Sequence, residues 1–211
     1  MSSFKHLYDA ILNGDSKAAV AATKEALAAN VDPLELITQY MIPAMDEVGR
    51  LFEAEEYFVP ELLLAGRAMK GSLELLRPLL AASGAQPTGR VVIGTVAGDL
   101  HDIGKNLVAS MLEGGGFEVT DLGSDVRPEQ FIAAAREKNA DIIALSALLT
   151  VTMPSMKKTI DALRDSGLPV KVIIGGAPVT RQYAEQIGAD GYGETANSAV
   201  ALARQLMKKA S

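Results

Sequence analysis

The sequence predicts an α/β protein in which a bundle of four helices is followed by a five-stranded parallel sheet with helices on both faces. Three observations support this prediction: apolar residues recur at helical spacing over residues 1–83, a stretch rich in glycine, serine and proline follows, and β-branched runs then alternate with helical patterns. Such alternation is typical of parallel sheets covered on both faces. We therefore expect a helical cap domain at 1–83, a linker at 84–89 and an α/β domain at 90–211.

The N-terminal helices are marked by capping residues and prolines. Asp15 can cap one helix, and Asp32 followed by Pro33 is a strong start for the next. Pro60 opens the last helix, and Pro43 should bend its helix or begin a new turn. The apolar residues after Pro33 define one buried face: Leu34, Ile37, Tyr40, Met41, Met45, Val48, Leu51 and Phe52. Short connections between the helices predict an antiparallel bundle.

After the linker the pattern changes to short β-branched runs, which are typical of buried strands. The predicted strands are Arg90–Val96, Phe117–Leu122, Asp141–Ser146, Val170–Ile174 and, more weakly, Ala189–Tyr192. Helical patterns follow them at Gly104–Glu113, Pro128–Lys138, Pro154–Asp165, Thr180–Ile187 and Ala196–Lys208. A flavodoxin-like (Rossmann-like) strand order would reverse between the first and third strands, and ligands bind such sheets where the order reverses. We therefore expect the site in the loops after Val96 and Ser146.

Composition argues against several kinds of partner and site. Lys and Arg number 20 against 26 for Asp and Glu, so the net charge of −6 disfavours nucleic acid and anionic membranes as main partners. The chain has no cysteine, which excludes disulfides, thiolate zinc sites and iron–sulfur clusters. The longest uncharged stretch, Ile142–Met156, is too short and too polar to span a bilayer, and Lys5 and Asp9 interrupt any signal peptide. We expect a cytoplasmic protein.

The loop after the first strand contains His101, one of two histidines in the chain. A neutral imidazole is a good ligand for a transition metal, and Asp99, two residues earlier, can accept a hydrogen bond from the other ring nitrogen. Gly104 would let the backbone pass close to a bulky ligand before the helix begins. On this motif alone, a surface loop whose histidine merely caps the following helix is an equally good interpretation.

Two further strand ends carry hydroxyls or glycines. Ser146, Thr150 and Thr152 follow the third strand in an otherwise apolar stretch, and buried hydroxyls that lack a partner lower stability. We expect one of them to hydrogen-bond within the turn and the others to meet a buried polar ligand. The fourth strand ends in Gly175 and Gly176, against which a planar group could lie, although a tight turn explains them equally well. Together these strand ends predict a long slot between strands rather than a phosphate cradle.

In combination, these motifs resemble those of the corrinoid (cobalamin-binding) proteins of methyltransferase systems, a family related to the cobalamin module of methionine synthase. The segment Asp99-Leu100-His101-Asp102-Ile103-Gly104 matches the family's Asp-x-His-x-x-Gly motif. Its Ser-x-x-x-Thr-x-Ser/Thr motif is matched by Ser146, Thr150 and Thr152. Its paired glycines are matched by Gly175-Gly176. The resemblance covers nearly the whole chain, including the helical part. It implies a cobalamin cofactor, as methylcobalamin or a related corrinoid.

The resemblance also implies a role for each matching residue. His101 would ligate cobalt in place of the cofactor's own nucleotide base, Asp99 would hold the other ring nitrogen, and Thr152 would be next in this relay, where the methionine synthase module has serine. The displaced nucleotide tail would enter the slot. The residues of the α/β domain that would contact the cofactor are Gly98, Asp99, Leu100, His101, Asp102, Ile103, Gly104, Ser146, Leu148, Thr150, Gly175, Gly176 and Ala196.

In the helical domain, the resemblance predicts a cap over the methyl-bearing face of the corrin. Its contacts would be Phe52, Phe58, Val59 and Leu62. Packing in the core of the bundle is the alternative. The cap is favoured because Phe58 and Val59 directly precede Pro60 at a helix entrance, and the linker would provide the hinge on which the cap moves.

The implied function is that of a methyl carrier. The chain would receive a methyl group at a substrate-specific methyltransferase and deliver it at a second methyltransferase that serves tetrahydrofolate or coenzyme M, with a reductive activase as a third partner. Because no catalytic domain for either half-reaction is visible, we interpret the chain as a carrier subunit and leave open whether it is an enzyme by itself. The alternatives are a cobalamin-dependent sensor or regulator, an adenosylcobalamin mutase subunit, and a cofactor-free domain similar to response regulators.

Overall fold

The structure, a computed structural model, describes residues 4–84 and 86–209. The chain divides into two compact units, Met1–Pro87 with Glu113–Gly116 and Thr88–Leu112 with Phe117–Ser211. The predicted domain and linker ranges also contain residues 1–3, Ala85 and residues 210–211, which lie outside the described part. None of the described helices combines the length and the apolar character needed to cross a membrane.

The helical unit contains four helical stretches within the described residues. The first two are α1 (Lys5–Leu12) and α2 (Ser16–Ala28), and the fourth is α5 (Val59–Ser83). The third is continuous and consists of α3 (Pro33–Leu36), a π-helical turn (Ile37–Met41) and α4 (Ile42–Glu53). The four-helix prediction is confirmed for this part of the chain. Asp15 accepts a hydrogen bond from the Ala18 amide and Asp32 from the Leu34 amide, so both predicted caps are present.

The π-helical turn lies directly before Pro43, which occupies the first turn of α4. Proline has no amide hydrogen to bond the carbonyl four residues earlier, and a widened turn accommodates this loss without ending the helical stretch. The prediction that Pro43 begins a new turn is thereby confirmed. Ile37, Met41, Met45 and Val48 of the predicted apolar face are buried. The prediction is wrong for Leu34, which is 44% exposed, whereas Leu36, which the predicted face did not include, is fully buried.

The α/β unit is a parallel sheet with helices between its strands. The strands are β1 (Arg90–Thr95), β2 (Glu118–Asp121), β3 (Ile142–Ser146), β4 (Lys171–Gly175) and β5 (Gly191–Tyr192). The helices are α6 (Ile103–Gly114), α7 (Pro128–Lys138), α8 (Met153–Asp165), α9 (Arg181–Ile187) and α10 (Ala196–Lys209). The five strands in the described residues pair in the order β2-β1-β3-β4-β5, all parallel, which confirms the predicted flavodoxin-like order.

The strand register brings the ends of β1, β3 and β4 to one edge of the sheet. Ser146 pairs with Thr95 on one side and with Gly175 on the other. One core of the unit lies under α7 and α8, where Phe131 and Ile160 are buried against the sheet. A Cβ atom on Gly94 would lie 2.8 Å from the Phe131 ring, so this glycine allows α7 to pack on β1. The edge that carries Thr95, Ser146 and Gly175 is where the strand order reverses, and ligands of such sheets bind at that position.

Candidate functional site

The loop between β1 and α6 begins with a tight turn that aims the next residues at the edge of the sheet. The Asp99 amide donates to the Val96 carbonyl at 3.1 Å, and Gly98 has a φ of +86°, the left-handed conformation that glycine adopts without steric strain. The hydroxyl of the fully buried Thr95 donates to the carbonyl of His101 at 2.8 Å. The turn and the Thr95 bond together fix both the start and the end of the segment that contains Asp99 and His101.

Asp99 is fully buried, and both of its carboxylate oxygens accept several hydrogen bonds. Oδ1 accepts from the His101 amide at 3.1 Å and lies 3.0 Å from Nδ1 of the His101 ring. Oδ2 accepts from the Thr152 hydroxyl at 2.7 Å and from the Leu148 and Leu149 amides at 2.8 and 3.3 Å. One carboxylate therefore joins the loop after β1 to the loop after β3, and brings the predicted residues Asp99, His101 and Thr152 together.

These hydrogen bonds determine the charge of Asp99. Burial by itself would raise the pKa of the carboxyl group, because the ionised form loses its hydration. The bonds from the Thr152 hydroxyl, the Leu148 amide and the amide and ring of His101 outweigh this effect and hold the pKa of Asp99 well below its usual range. The carboxylate is therefore ionised at any physiological pH and acts as a permanent acceptor for the imidazole.

The His101 ring is held on one side and open on the other. Its side chain is 53% exposed although its acceptor, Asp99, is fully buried. With Nδ1 donating to Asp99, the lone pair of the ring belongs to Nε2, and a metal could bind there. The side chains around this loop are apolar and unusually exposed: Leu100, Ile103, Leu148, Leu149 and Val151. An accessible nitrogen ligand thus lies among apolar side chains that water solvates poorly.

The three hydroxyls after β3 have different environments. Thr152 is 6% exposed, Ser146 is half-buried and Thr150 is exposed. Thr150 lies in the turn that leads into α8 and not at the strand end, and the contacts of Ser146 and Thr150 with a polar ligand stay predictions. The Thr152 oxygen is also 2.8 Å from the Leu149 carbonyl, so its single proton can go either there or to Asp99.

The paired glycines at the end of β4 are packed against the protein's own backbone. A Cβ atom on Gly176 would lie 1.9 Å from the Ala147 carbonyl oxygen, and Gly176 has a φ of +133°. A Cβ atom on Gly175 would lie 2.9 Å from the carbonyl oxygen of Gly193. Close packing against the backbone accounts for both glycines in this structure, and only Gly176 also needs a positive φ. The contact of the two glycines with a planar ligand stays a prediction.

The other predicted contact residues are divided between open and buried positions. A Cβ atom on Gly104 would meet nothing within 4 Å, and Asp102 beside it is exposed. Ala196, at the start of α10, is 6% exposed. In the helical unit, Phe58 is 62% exposed, whereas Leu62 is 1% exposed and belongs to the buried residues. The remaining two are the partly exposed Val59 and the half-buried Phe52.

Sequence reasoning missed three residues that support the His101 loop: Thr95, Asp125 and Lys105. The Gly98 amide donates to the Asp125 carboxylate at 2.7 Å. Lys105 is almost fully buried, and its ammonium group bonds to the Asp121 carboxylate and to the Asn106 side chain. Asp121 is the last residue of β2 and Asp125 lies in the loop after it, a region that neither the spacing nor the resemblance had marked. Only Lys105 offered a sequence signal, since it is a charged residue directly after the Asp-x-His-x-x-Gly motif.

Comparison with known sequences identifies the family. Residues 89–201 match the family described as B12 binding domain, and residues 4–77 match a second family of the same description. A dimethylamine corrinoid protein of Methanosarcina acetivorans is 45% identical over 194 residues, which are 90% of this chain and 91% of the relative. A trimethylamine corrinoid protein of the same organism is 43% identical over 203 residues, which are 94% of each chain.

Solved structures agree with the sequence comparison. The methanol:cobalamin methyltransferase complex MtaBC of Methanosarcina barkeri matches with a TM-score of 0.86 and 31% identity, covering 97% of this chain and 79% of that chain. A cobalamin-binding protein of Desulfitobacterium hafniense matches with a TM-score of 0.77 and 34% identity, covering 97% and 98%. Since a B12-binding family covers more than half of the sequence and relatives above 30% identity cover nearly all of it, the chain belongs to the B12-binding corrinoid proteins.

Proposed function

We propose that this protein carries a methyl group on a corrinoid that is bound base-off, with His101 as the lower ligand of cobalt. The methyl group would arrive from a substrate-specific methyltransferase and leave to a second one that serves tetrahydrofolate or coenzyme M, and a reductive activase would restore the cofactor. The relatives named as methylamine corrinoid proteins and the methanol:cobalamin methyltransferase complex support the carrier role and a methyltransferase partner. The observation that carries the proposal is the exposed His101 ring anchored by the buried Asp99.

The residues present suit a corrinoid at this edge of the sheet. A corrinoid brings most of the ligands of its metal, so the protein would have to supply only one, and the half-exposed ring of His101 would offer Nε2 for that role. The exposed apolar side chains of Leu100 and Leu148 would contact the apolar periphery of the ring. The open space at Gly104 leaves room for a large planar group beside the start of α6. The donor, the apolar surface and the free space all favour the same ligand.

The protein's own contribution is to orient and tune the lower ligand. When bound, the corrinoid supplies a cobalt centre that accepts and releases a methyl group. Asp99 accepts the Nδ1 hydrogen of His101, which keeps the Nε2 lone pair available for a metal. When Nε2 holds no metal, it could hold a proton instead, and the ionised Asp99 would then stabilise the imidazolium. The Thr152 hydroxyl, with two acceptors in reach, can follow such a change by rotating between Asp99 and Leu149.

Replacing His101 with alanine should leave a protein that still retains the corrinoid but shows the visible spectrum of a cofactor without a lower ligand. The wild-type protein, incubated with hydroxocobalamin and passed through gel filtration, should show the base-off spectrum with histidine bound. His6→Ala is the matched control, because the only other histidine of the sequence lies in the helical unit on α1. The proposal fails when the wild-type protein retains no corrinoid, or when H101A and wild-type spectra coincide.

We further propose that Phe58 shields the methyl-bearing face of the bound corrinoid, as the family resemblance implies. Its ring is 62% exposed in the helical unit, which is unusual for a residue that serves only the core. Phe58→Ala should speed photolysis of the methylated form several-fold and leave cofactor retention unchanged. Leu79→Ala, at another exposed apolar position on α5, is the control and should photolyse at the wild-type rate. Equal photolysis rates for F58A and wild type would show that Phe58 does not shield the cofactor.

A further inference from the structure

Asp125, in the loop between β2 and α7, holds the backbone of the His101 loop at two neighbouring points. Its Oδ1 atom accepts a hydrogen bond from the Gly98 amide at 2.7 Å, and its own amide donates to the Asp99 carbonyl at 2.9 Å. Both bonds are made by one residue: one ends on the amide of Gly98 and the other on the carbonyl of Asp99, so they hold the Gly98–Asp99 segment at its start and at its end. The position of the Asp99 Cα atom determines where the Asp99 carboxylate meets the His101 ring.

The backbone of Asp125 is in a conformation that few side chains adopt. Its φ is +54°, in the left-handed region, where aspartate and asparagine are tolerated better than most residues. In this conformation the amide and the carboxylate of Asp125 both reach the same stretch of the His101 loop. Val96 and Val126 also pair as an isolated parallel bridge, so the two loops run side by side at this point. A strained residue with two bonds to one neighbouring loop indicates a positional role.

A second contact connects the same two segments further along. The buried Lys105 ammonium, on α6 just after the His101 loop, bonds to the Asp121 carboxylate at the end of β2. The Gly123 carbonyl, between Asp121 and Asp125, accepts the Thr95 amide at 2.9 Å. Residues 121–125 therefore support the His101 loop on both sides. Among these residues, only Asp125 bonds to the carbonyl of Asp99 itself.

We infer that Asp125 is a positioning residue that acts on His101 through Asp99, holding the carboxylate where it fixes the Nδ1–H tautomer of the imidazole and directs Nε2 outward. The inference rests on the proposed function, in which Nε2 of His101 ligates cobalt. Asp125 does not itself bond to the imidazole in the described part of the chain. Its effect is on orientation, as is typical of groups that stand behind the direct partner of a metal-ligating histidine.

Two substitutions separate the side-chain acceptor from the backbone conformation. Asp125→Asn keeps an oxygen at the position that accepts the Gly98 amide, and asparagine tolerates the left-handed region. Asp125→Gly adopts that region more readily than aspartate does, so it keeps the fold, but it has no acceptor. We expect D125N to behave as wild type and D125G to lose control of the imidazole, with similar thermal unfolding midpoints for all three proteins.

The first readout needs no cofactor. In apoprotein with 15N-labelled histidine above neutral pH, NMR should show the His101 ring almost wholly as the Nδ1–H tautomer in wild type and D125N. In D125G the population of the Nε2–H tautomer should rise several-fold. Loss of packing alone would lower the melting temperature without changing this ratio. If the tautomer ratio of D125G equals that of wild type, Asp125 does not orient Asp99 and the inference is overturned.

The second readout uses the protein loaded with hydroxocobalamin. The fraction of cofactor without a bound histidine, measured from the visible spectrum, should rise roughly tenfold in D125G, the low end of the effect known for outer partners of metal-ligating histidines. D125N should show the wild-type fraction. A wild-type spectrum without any histidine signature would refute the proposed function, whereas the tautomer measurement would still decide whether Asp125 orients Asp99. Equal histidine-bound fractions in D125G and wild type would overturn the positional role in the loaded protein.

Discussion

Replacing Asp99 with asparagine should lower the free energy of unfolding at pH 7 by about 3 kcal/mol, because a buried acceptor is exchanged for a group that also donates. If the new NH2 group takes the place of Oδ2, it faces the Thr152 hydroxyl and the Leu148 amide, both of which donate to Asp99 in the wild-type protein. At the Oδ1 position, it faces the His101 amide. Either orientation leaves at least one of these donors without an acceptor, although the shape of the side chain is unchanged.

The same substitution should change the response to acid. The pKa of Asp99 is held below its ordinary value of 3.8 in the folded protein. A carboxyl group with a depressed pKa stabilises the folded state above the unfolded-state pKa, and this stabilisation is lost as the pH falls through the folded-state value. Since asparagine does not titrate, the stability difference between wild type and D99N should be largest above about pH 5 and should shrink below about pH 4.

Urea unfolding at pH 7 and at pH 3.5 tests both expectations. Asp102→Asn is the control, because Asp102 lies in the same loop, is exposed, and its carboxylate makes no hydrogen bond with the described residues. We expect D102N to unfold within about 0.5 kcal/mol of wild type. If D99N matched wild type at pH 7, or if the difference between them were as large at pH 3.5 as at pH 7, the hydrogen bonds to Asp99 would not contribute as the geometry indicates.

The fold could be predicted almost completely because its signals are local. Five β-branched runs at regular spacing define the strands, and the caps at Asp15 and Asp32 define the helix starts. One deviation is β5, which has only two paired residues, Gly191 and Tyr192, where the run Ala189–Tyr192 was predicted. A Cβ atom on Gly191 would meet the Leu202 side chain at 2.6 Å, so this edge strand is constrained by its contact with α10. That constraint comes from residues distant in sequence, and no local pattern reports it.

The chemistry of the site was predictable, but its supports were not. Asp99 and His101 are two residues apart, and the register of β1 and β3 brings Thr152 to them. Asp125 is 27 residues from Gly98, its bonding partner, and it contacts the loop through a backbone conformation that its residue type does not specify.

Substituting Gly176 with alanine should have the largest effect on stability of the glycine substitutions near the site. The added Cβ atom would lie 1.9 Å from the Ala147 carbonyl oxygen. The carbonyl belongs to the backbone and the Cβ atom is attached directly to it, so neither atom can rotate away. The φ of +133° is also unfavourable for alanine. We expect a loss of more than about 4 kcal/mol in the free energy of unfolding, or no soluble protein. An alanine variant that unfolds at the wild-type urea concentration would show that the turn after β4 is not as constrained as its geometry indicates.

Gly104→Ala should be compared with Gly176→Ala, because the protein's own backbone leaves no space for a Cβ atom at Gly176, whereas only a bound ligand could occupy that space at Gly104. No protein atom lies within 4 Å of a Cβ atom at Gly104, and alanine favours the first turn of α6, so the apoprotein should be as stable as wild type or up to about 1 kcal/mol more stable. If the corrin occupies the open space, the same methyl group should reduce corrinoid retention on gel filtration. A G104A protein that loads as well as wild type would place the cofactor elsewhere. A variant that keeps or gains stability but retains less corrinoid would therefore show that the bound ligand, and not the packing of the chain, requires a glycine at this position.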